Sequence, residues 1–162
     1  MTHPLSEQNV GSQPFGLQAL LLGHLEIAKL TDDQLRVISP LALAYIGDAV
    51  YELFIRSQFL FPPQRVQSFH RQVVSHVRAE QQACYLEYLR PHLTEAEADI
   101  LRRGRNAVSS RKQRASLQDY QQATALEALI GYLYLTDPQR LADIFSHLPL
   151  NLQASREAVE PD

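Results

Sequence analysis

The sequence predicts an all-α fold, a helical bundle without a β-sheet. Apolar residues recur at helical spacing through much of the 162-residue chain, as in Val66, Val73 and Val77. No stretch shows the apolar–polar alternation that is typical of a half-buried strand. Two apolar segments, at about 40–60 and 119–136, have the length expected of buried helices. A chain of this length can bury one sizeable core, so we expect one main domain.

The first apolar segment carries acids within an otherwise apolar surface. Ser39 can cap free backbone N–H groups, and Pro40 suits the first position of a helix. Within residues 41–55 the only charges are Asp48 and Glu52. A helix that is apolar on nearly every face is normally buried, and a buried carboxylate is costly unless it is paired or binds a cation. We therefore expect Asp48 to be buried beside a partner.

The second apolar segment supplies a matching acid. Glu127 is the only charge within residues 120–135, and Gly131 follows it by one turn, much as Gly47 adjoins Asp48. Glycine lets two helix backbones approach closely. Two carboxylates on close-packed helices would suit a hard divalent cation such as magnesium. The alternative is that each acid caps a buried arginine or tyrosine network, because structural ion pairs also bury acids.

A basic stretch interrupts the predicted helices and suggests an anionic partner. Residues 65–114 hold ten Lys or Arg against five Asp or Glu, whereas the rest of the chain is acidic. The densest part predicts a mobile loop that contacts nucleic-acid phosphates, and the alternative is a solvated run of charge. Its candidate contact residues are Arg102, Arg103, Arg105, Asn106, Arg111, Lys112 and Arg114.

The remaining features bound the domain and its compartment. We expect an N-terminal extension at 1–37 that is partly flexible, a main domain at 38–148 and a flexible tail at 149–162. Cys84 is the only cysteine, which excludes a disulfide within the chain and fits a reducing compartment. No secretory signal or membrane-spanning run is recognisable, so a cytoplasmic protein is expected.

Three motifs resemble one enzyme family. Tyr45-Ile46-Gly47-Asp48-Ala49-Val50 resembles the signature helix of the ribonuclease III catalytic domain, and residues 126–135 resemble its second acidic helix. Together with Arg102-Arg103-Gly104-Arg105-Asn106-Ala107, they are similar to Mini-ribonuclease III, the compact branch that lacks a double-stranded-RNA-binding domain. The resemblance covers roughly 38–148 and implies a ribonuclease III catalytic-domain-like helical bundle.

The resemblance also implies an activity. It implies a homodimer that cleaves double-stranded RNA with Mg²⁺, for which Mn²⁺ can substitute, leaving 5′-phosphate and 3′-hydroxyl ends and a two-nucleotide 3′ overhang. The expected substrate is the precursor of large-subunit (23S) ribosomal RNA. Asp48 and Glu127 match catalytic and metal-binding positions, and Tyr45 matches an aromatic position at the dimer axis. Divalent ions would activate a water and neutralise the leaving oxygen.

Two departures from the family pattern keep other functions open. Larger ribonucleases III carry four acids, but here Ala44 and Thr124 stand at two of those positions. This leaves the number of metal ions open, and Glu52 could be an outer-shell residue or a dimer contact. One alternative is a non-catalytic RNA-binding or ribosome-assembly protein on a decayed nuclease fold. Another is a helical protein-interaction module with no RNA role.

Overall fold

The computed structural model describes residues 30–108 and 114–150. By its internal contacts the chain divides into units of residues 1–35 and 36–162, and only 30–35 are described in the first. The described residues form helices and no strand, which confirms the all-α prediction. The helices are α1 (Asp32–Val37), α2 (Pro40–Gln58), α3 (Val66–Val77), α4 (Ala79–Leu89), α5 (Glu95–Asn106), α6 (Arg114–Thr136) and α7 (Pro138–Ser146), with a 3₁₀ turn at Arg90–His92.

Helix α6 is the centre of the larger unit. It packs against α2, α4 and α5, and it contributes Leu126, Leu129 and Ile130 to the core. Facing side chains include Tyr51 and Ile55 of α2, which are fully buried. Burying such large apolar side chains contributes about 1.5–3 kcal/mol each, so this core fixes where α2 and α6 lie.

Side chains cap several helices, and the cap at Ser39 is the one that the sequence predicts. Ser39 Oγ accepts a hydrogen bond from the Ala42 amide at 3.1 Å. At α5, Thr94 and Glu97 form a reciprocal capping box. Asp137 accepts from the Arg140 amide at 3.0 Å, one residue before the proline that begins α7. These caps set the helix starts and therefore the register of the acids that follow.

A buried ion pair joins α5 to α7. Glu97 receives two hydrogen bonds from Arg140, at 2.7 and 3.0 Å, and a third from the Thr94 amide at 2.8 Å. The Glu97 side chain is 7% exposed. The Arg140 guanidinium lowers the pKa of Glu97 below its ordinary value, with the Thr94 hydrogen bonds acting in the same direction against desolvation. This bidentate pair ties the start of α5 to the last described helix.

The basic stretch is more ordered than a mobile loop. Arg102, Arg103, Arg105 and Asn106 lie on α5, so the loop prediction was wrong for them. The wrong prediction came from Gly104, because a glycine among polar residues resembles a loop. In the structure Gly104 lies against α6, where a Cβ would come within 2.9 Å of the Ala128 Cβ. Two more predicted residues, Arg111 and Lys112, lie outside the described residues, and Arg114 begins α6.

The other domain predictions fall mostly outside the described residues. The N-terminal extension at 1–37 is described only from residue 30, and the tail at 149–162 only to residue 150. Their flexibility stays a prediction. In the part of the chain that is described, no helix is both long and apolar enough to cross a membrane.

Candidate active site

The site is built where α2 crosses α6 at two glycines. A Cβ on Gly47 would lie 1.8 Å from the Glu127 carbonyl oxygen, and one on Gly131 would lie 2.0 Å from the Leu43 carbonyl oxygen. Real Cβ atoms essentially never come so close to backbone atoms. The two backbones are therefore in direct contact, and the predicted close approach at these glycines is confirmed.

This crossing brings the two predicted acids near each other. Asp48 follows Gly47 on α2, and Glu127 is the α6 residue whose carbonyl Gly47 touches. Glu127 is half-buried, whereas Asp48 is exposed. The prediction that Asp48 is buried was therefore wrong, because one side of α2 faces outward in the single chain. Asp48 presents a carboxylate to solvent at the rim, and Glu127 lies deeper.

Burial and like charge disfavour ionisation of both acids. Desolvation raises the pKa of Glu127 to about 7, with further upward contributions from Asp48 and Glu52, while a hydrogen bond from Gln82 acts in the opposite direction. Desolvation also raises the pKa of Asp48, followed by repulsion from Glu52, with Arg56 opposing. Three carboxylates thus repel one another around the crossing. A bound cation would relieve that repulsion.

Glu52 is the third acid of this group. It lies one turn after Asp48 and pairs with Arg56 on the same helix. An exposed ion pair within one helix contributes little to stability. The main effect of Glu52 is therefore its negative charge near the two predicted ligands. Glu52 raises the pKa of both predicted ligands, which puts its charge close enough to act on a cation at the crossing.

Glu127 has a buried hydrogen-bond partner that the sequence did not predict. Gln82 of α4, only 2% exposed, donates through Nε2 to Glu127 Oε1 at 3.1 Å. The acid is therefore tied to an amide rather than to the arginine or tyrosine that the alternative prediction named. The pair is 45 residues apart, and neither periodicity nor a helix signal relates Gln82 to the second acidic segment.

The family acid positions that lack acids point inward. Ala44 is 5% exposed and packs with Leu43 and Ala128, while Thr124 is 4% exposed on α6. Within residues 30–108 and 114–150, no three His, Cys, Asp or Glu side chains are grouped so as to hold a metal ion among them. The role of Asp48 and Glu127 as metal ligands stays a prediction.

An apolar strip beside Asp48 faces outward. On α2, Tyr45 is 81% exposed and Leu53 is 58% exposed, although the sequence predicts a helix buried on all sides. Leu41 and Ile46 extend the same exposed apolar surface. Contiguous apolar surface of this kind commonly marks an interaction site. We call these four residues the α2 strip.

The predicted phosphate-contact residues form a separate group on α5. Arg102, Arg105 and Asn106 are exposed, and Arg103 is half-buried. Arg102 pairs with Asp99 three residues earlier. Because Gly104 of the same helix lies against α6, the basic end of α5 is fixed relative to the helix that carries Glu127. The structure therefore holds these arginines on α5, which packs on the same helix, α6, as the α2 helix that carries Asp48.

Comparisons with known proteins agree with this arrangement. Residues 41–138 match the family model described as Ribonuclease III domain. The chain is 55% identical to Mini-ribonuclease 3 of Thermosynechococcus vestitus over 120 residues, which cover 74% of this chain and 80% of that protein. It is 39% identical to Mini-ribonuclease 3 of Clostridium tetani over 128 residues, covering 76% of this chain and 84% of that protein.

A solved structure supports the same assignment. A crystal structure of a protein from Fusobacterium nucleatum matches with a TM-score of 0.63 and 30% identity, covering 68% of this chain and 93% of that one. The match to the family model spans both acids, both glycines and the basic end of α5. The chain therefore belongs to the ribonuclease III family of endoribonucleases, in its Mini-ribonuclease 3 branch.

Proposed function

We propose that this protein cleaves double-stranded RNA in a metal-dependent reaction in which Asp48 and Glu127 are the catalytic acids. The observation that carries the proposal is the glycine contact between α2 and α6, which sets the Asp48 and Glu127 backbones side by side, close enough for the Asp48 charge to act on Glu127. Burial raises the pKa of Glu127 to about 7, and repulsion from Asp48 and Glu52 acts in the same direction. Acids held in such an unfavourable arrangement are typical of functional sites.

The donor set fits magnesium, with manganese as a substitute. Both proposed ligands, Asp48 and Glu127, offer carboxylate oxygens, which hard divalent cations prefer. Magnesium usually keeps several waters and takes only one or two protein carboxylates, so a pair of acids is a sufficient protein contribution. When bound, such an ion would supply a water of lowered pKa and neutralise charge on the leaving oxygen.

The protein groups around the acids have separate tasks in this proposal. Exposed Asp48 meets the scissile phosphate region from the solvent side, while half-buried Glu127 stays oriented by Gln82. Glu52 adds negative charge nearby without being a ligand, because it is engaged by Arg56. The combined negative charge of these three acids attracts a cation to the crossing.

The basic end of α5 would hold the RNA backbone. Exposed Arg102 and Arg105 and the neighbouring Asn106 offer hydrogen-bond donors that suit phosphate oxygens. We extend the same role to Arg103 and, from the sequence alone, to Arg111, Lys112 and Arg114. Contacts of this kind read the shape of an A-form duplex rather than its sequence, which suits a compact enzyme without a second RNA-binding domain.

We propose that two copies associate through the α2 strip. Tyr45 and Leu53 offer large apolar side chains beside Asp48, so a second copy covering them would lie next to the acids. A dimer would present two sites to the two strands of one duplex. Tyr45→Glu should give monomers in sedimentation velocity, whereas Tyr88→Glu, a matched change at an exposed tyrosine of α4, should not. An unchanged dimer in the first variant would contradict this interface.

The proposed physiological substrate is inferred from similarity to Mini-ribonuclease 3 proteins and not from the geometry of the site. We propose that the enzyme matures the 23S ribosomal RNA precursor in the cytoplasm, leaving 5′-phosphate and 3′-hydroxyl ends. This proposal rests on the 55% identity to a Mini-ribonuclease 3 over most of the chain. Sequencing of the large-subunit RNA ends in cells that lack this protein would test it, since correctly trimmed ends there would contradict the assignment.

The activity itself is tested by incubating the purified full chain with a long RNA duplex. We expect cutting with magnesium, none with chelator, and none by Asp48→Asn or Glu127→Gln, while both variants still bind the duplex. A single-stranded RNA of the same sequence is the substrate control. Cutting that survives chelator or either substitution would contradict the proposed mechanism.

A second candidate function is RNA binding without cleavage. Its support is the inward-facing Ala44 and Thr124, which stand where larger family members carry acids. In that case the wild-type protein would bind the duplex with a steep dependence on salt but leave it intact under every metal condition. The cleavage assay therefore separates the two functions directly.

A further inference from the structure

Gln82 is a buried residue whose side-chain amide makes specific hydrogen bonds that packing in the core does not require. Its side chain is 2% exposed, and its Nε2 donates to two acceptors, Glu127 Oε1 at 3.1 Å and the Val77 carbonyl at 3.0 Å. Its Oε1 is buried without a hydrogen-bond partner among the described residues. An unmade buried hydrogen bond costs about 1–3 kcal/mol. An apolar side chain of the same size would fill this space without leaving such an atom unpaired.

The two acceptors also fix which way the amide points. Both the Val77 carbonyl and the Glu127 carboxylate require a donor, so reversing the amide would set an oxygen against two oxygens. Val77 is the last residue of α3, and Gln82 lies in the first turn and a half of α4. The junction between α3 and α4 thus holds a donor aimed at α6.

The chemistry of an amide suits an acid that must bind a cation. A lysine or arginine at this position would neutralise Glu127 and compete with the metal, whereas an amide hydrogen-bonds the carboxylate and leaves its charge. The bond engages Oε1, and Oε2 has no hydrogen-bond partner within residues 30–108 and 114–150. Because Gln82 occupies Oε1, Oε2 is the oxygen left for a cation.

We propose that Gln82 is a positioning residue, which fixes the Glu127 carboxylate through Oε1 so that Oε2 is presented to the metal. This inference rests on the proposed function, because it requires Glu127 to be a metal ligand. Removal of a group that orients a ligand typically lowers metal affinity by roughly 10–100-fold. Gln82 is buried, so its replacement should leave RNA binding in chelator unchanged.

The test measures binding of Mn²⁺ alone to the full chain, by electron paramagnetic resonance, without RNA. Gln82→Met keeps the volume and removes the donor, and we expect a loss of affinity of roughly 10–100-fold. Gln72→Met, at a glutamine of α3 that bonds Gln64, is the matched control and should bind Mn²⁺ as the wild type does. If Gln82→Met does not fold, Gln82→Asn replaces it, since the shorter side chain cannot reach both acceptors.

A double-mutant comparison separates positioning from a general structural role. On a Glu127→Ala background, Gln82→Met should cause no further loss of Mn²⁺ affinity, because its target is gone. An equal loss on both backgrounds, or a lowered melting temperature with unchanged Mn²⁺ affinity, would overturn the proposal. Asp48→Asn reports on the proposed function by itself: if it and Glu127→Ala both bind Mn²⁺ normally, the metal site is refuted, and the role of Gln82 with it.

Discussion

Replacing Gly47 by alanine tests the helix contact on which the site depends. The new methyl group would lie 1.8 Å from the Glu127 carbonyl oxygen and 2.7 Å from the Gly131 nitrogen. Both obstacles are backbone atoms, so no side chain can turn aside. To reach even 3.0 Å from the carbonyl oxygen, α2 and α6 would have to separate by about 1.2 Å.

The cost can be set against the one favourable effect of the change. Overpacking a core costs about 1–3 kcal/mol, and contact with rigid backbone belongs at the upper end. Alanine is more favourable than glycine inside a helix by about 1 kcal/mol. The net loss of stability is therefore about 2 kcal/mol, which lowers the melting temperature of a chain of this size by about 4–8 °C.

The separation should also disable the site. A displacement of about 1 Å at reacting groups can cost on the order of a hundredfold in rate, and Glu127 lies at the point of contact. Gly47→Ala should therefore lose duplex cleavage by about that factor even at temperatures where it is folded, as checked by circular dichroism.

Gly104→Ala is the matched control. Its methyl group would meet the Ala128 Cβ at 2.9 Å and the Ala125 Cα at 3.0 Å, so a shift of a few tenths of an ångström is enough. Its stability should change by no more than about 1 kcal/mol, because the helix preference for alanine offsets the small overlap. Gly47→Ala melting at or above the wild-type temperature, or no lower than Gly104→Ala, would refute the reasoning.

Three further predictions follow from charges in the structure. Glu127→Gln should stabilise the metal-free protein at pH 8 by on the order of 2 kcal/mol, because the raised pKa of about 7 means that folding opposes the charged form. Thermal melts should show the gain shrinking as the pH falls below 7 and disappearing below the ordinary pKa of 4.5, and a destabilised variant at pH 8 would contradict the prediction. Glu97→Gln should lower the free energy of unfolding by about 1.5–3 kcal/mol at pH 7, since hydrogen bonds to a charged partner are lost. This loss of stability should shrink as the pH falls below 4.5, the ordinary pKa of a glutamate. If urea titrations show a loss that does not depend on pH, the result would count against the Arg140 pair. For binding to an RNA duplex, Arg102→Ser and Arg105→Ser should each reduce the slope of log affinity against log salt concentration by about 1. Arg71→Ser on α3 should leave that slope unchanged. Equal slopes in all three variants would remove α5 from the RNA interface.

Helix positions were largely predictable because local chemistry sets them. Ser39 and Pro40 mark a helix start, and in the structure the Ser39 hydroxyl caps the helix that Pro40 begins. The close approach at Gly47 and Gly131 was also predictable, because a glycine inside a helix is unfavourable unless a neighbour needs the space. The meeting of Asp48 and Glu127 followed from those two glycines.

Two features were not predictable from local patterns. The exposure of Tyr45 and Leu53 escapes periodicity, because an apolar face is equally apolar whether it meets the core of its own chain or a second molecule. The bond between Gln82 and Glu127 depends on how α4 packs on α6, and a single glutamine in a helix carries no signal of its partner. Gly104 misled in the other direction, since a packing glycine resembles a loop glycine in sequence.

The most direct test of the account is the single-turnover rate of duplex cleavage at saturating magnesium for Asp48→Asn, Glu127→Gln and the double variant. Because the two acids are proposed to act on the same reaction as one unit, each single change should lower the rate at least about a hundredfold, and the double variant should be no slower than the slower single variant. Independent, multiplicative losses, or a single variant that still cuts at the wild-type rate, would contradict the claim that Asp48 and Glu127 form one catalytic centre.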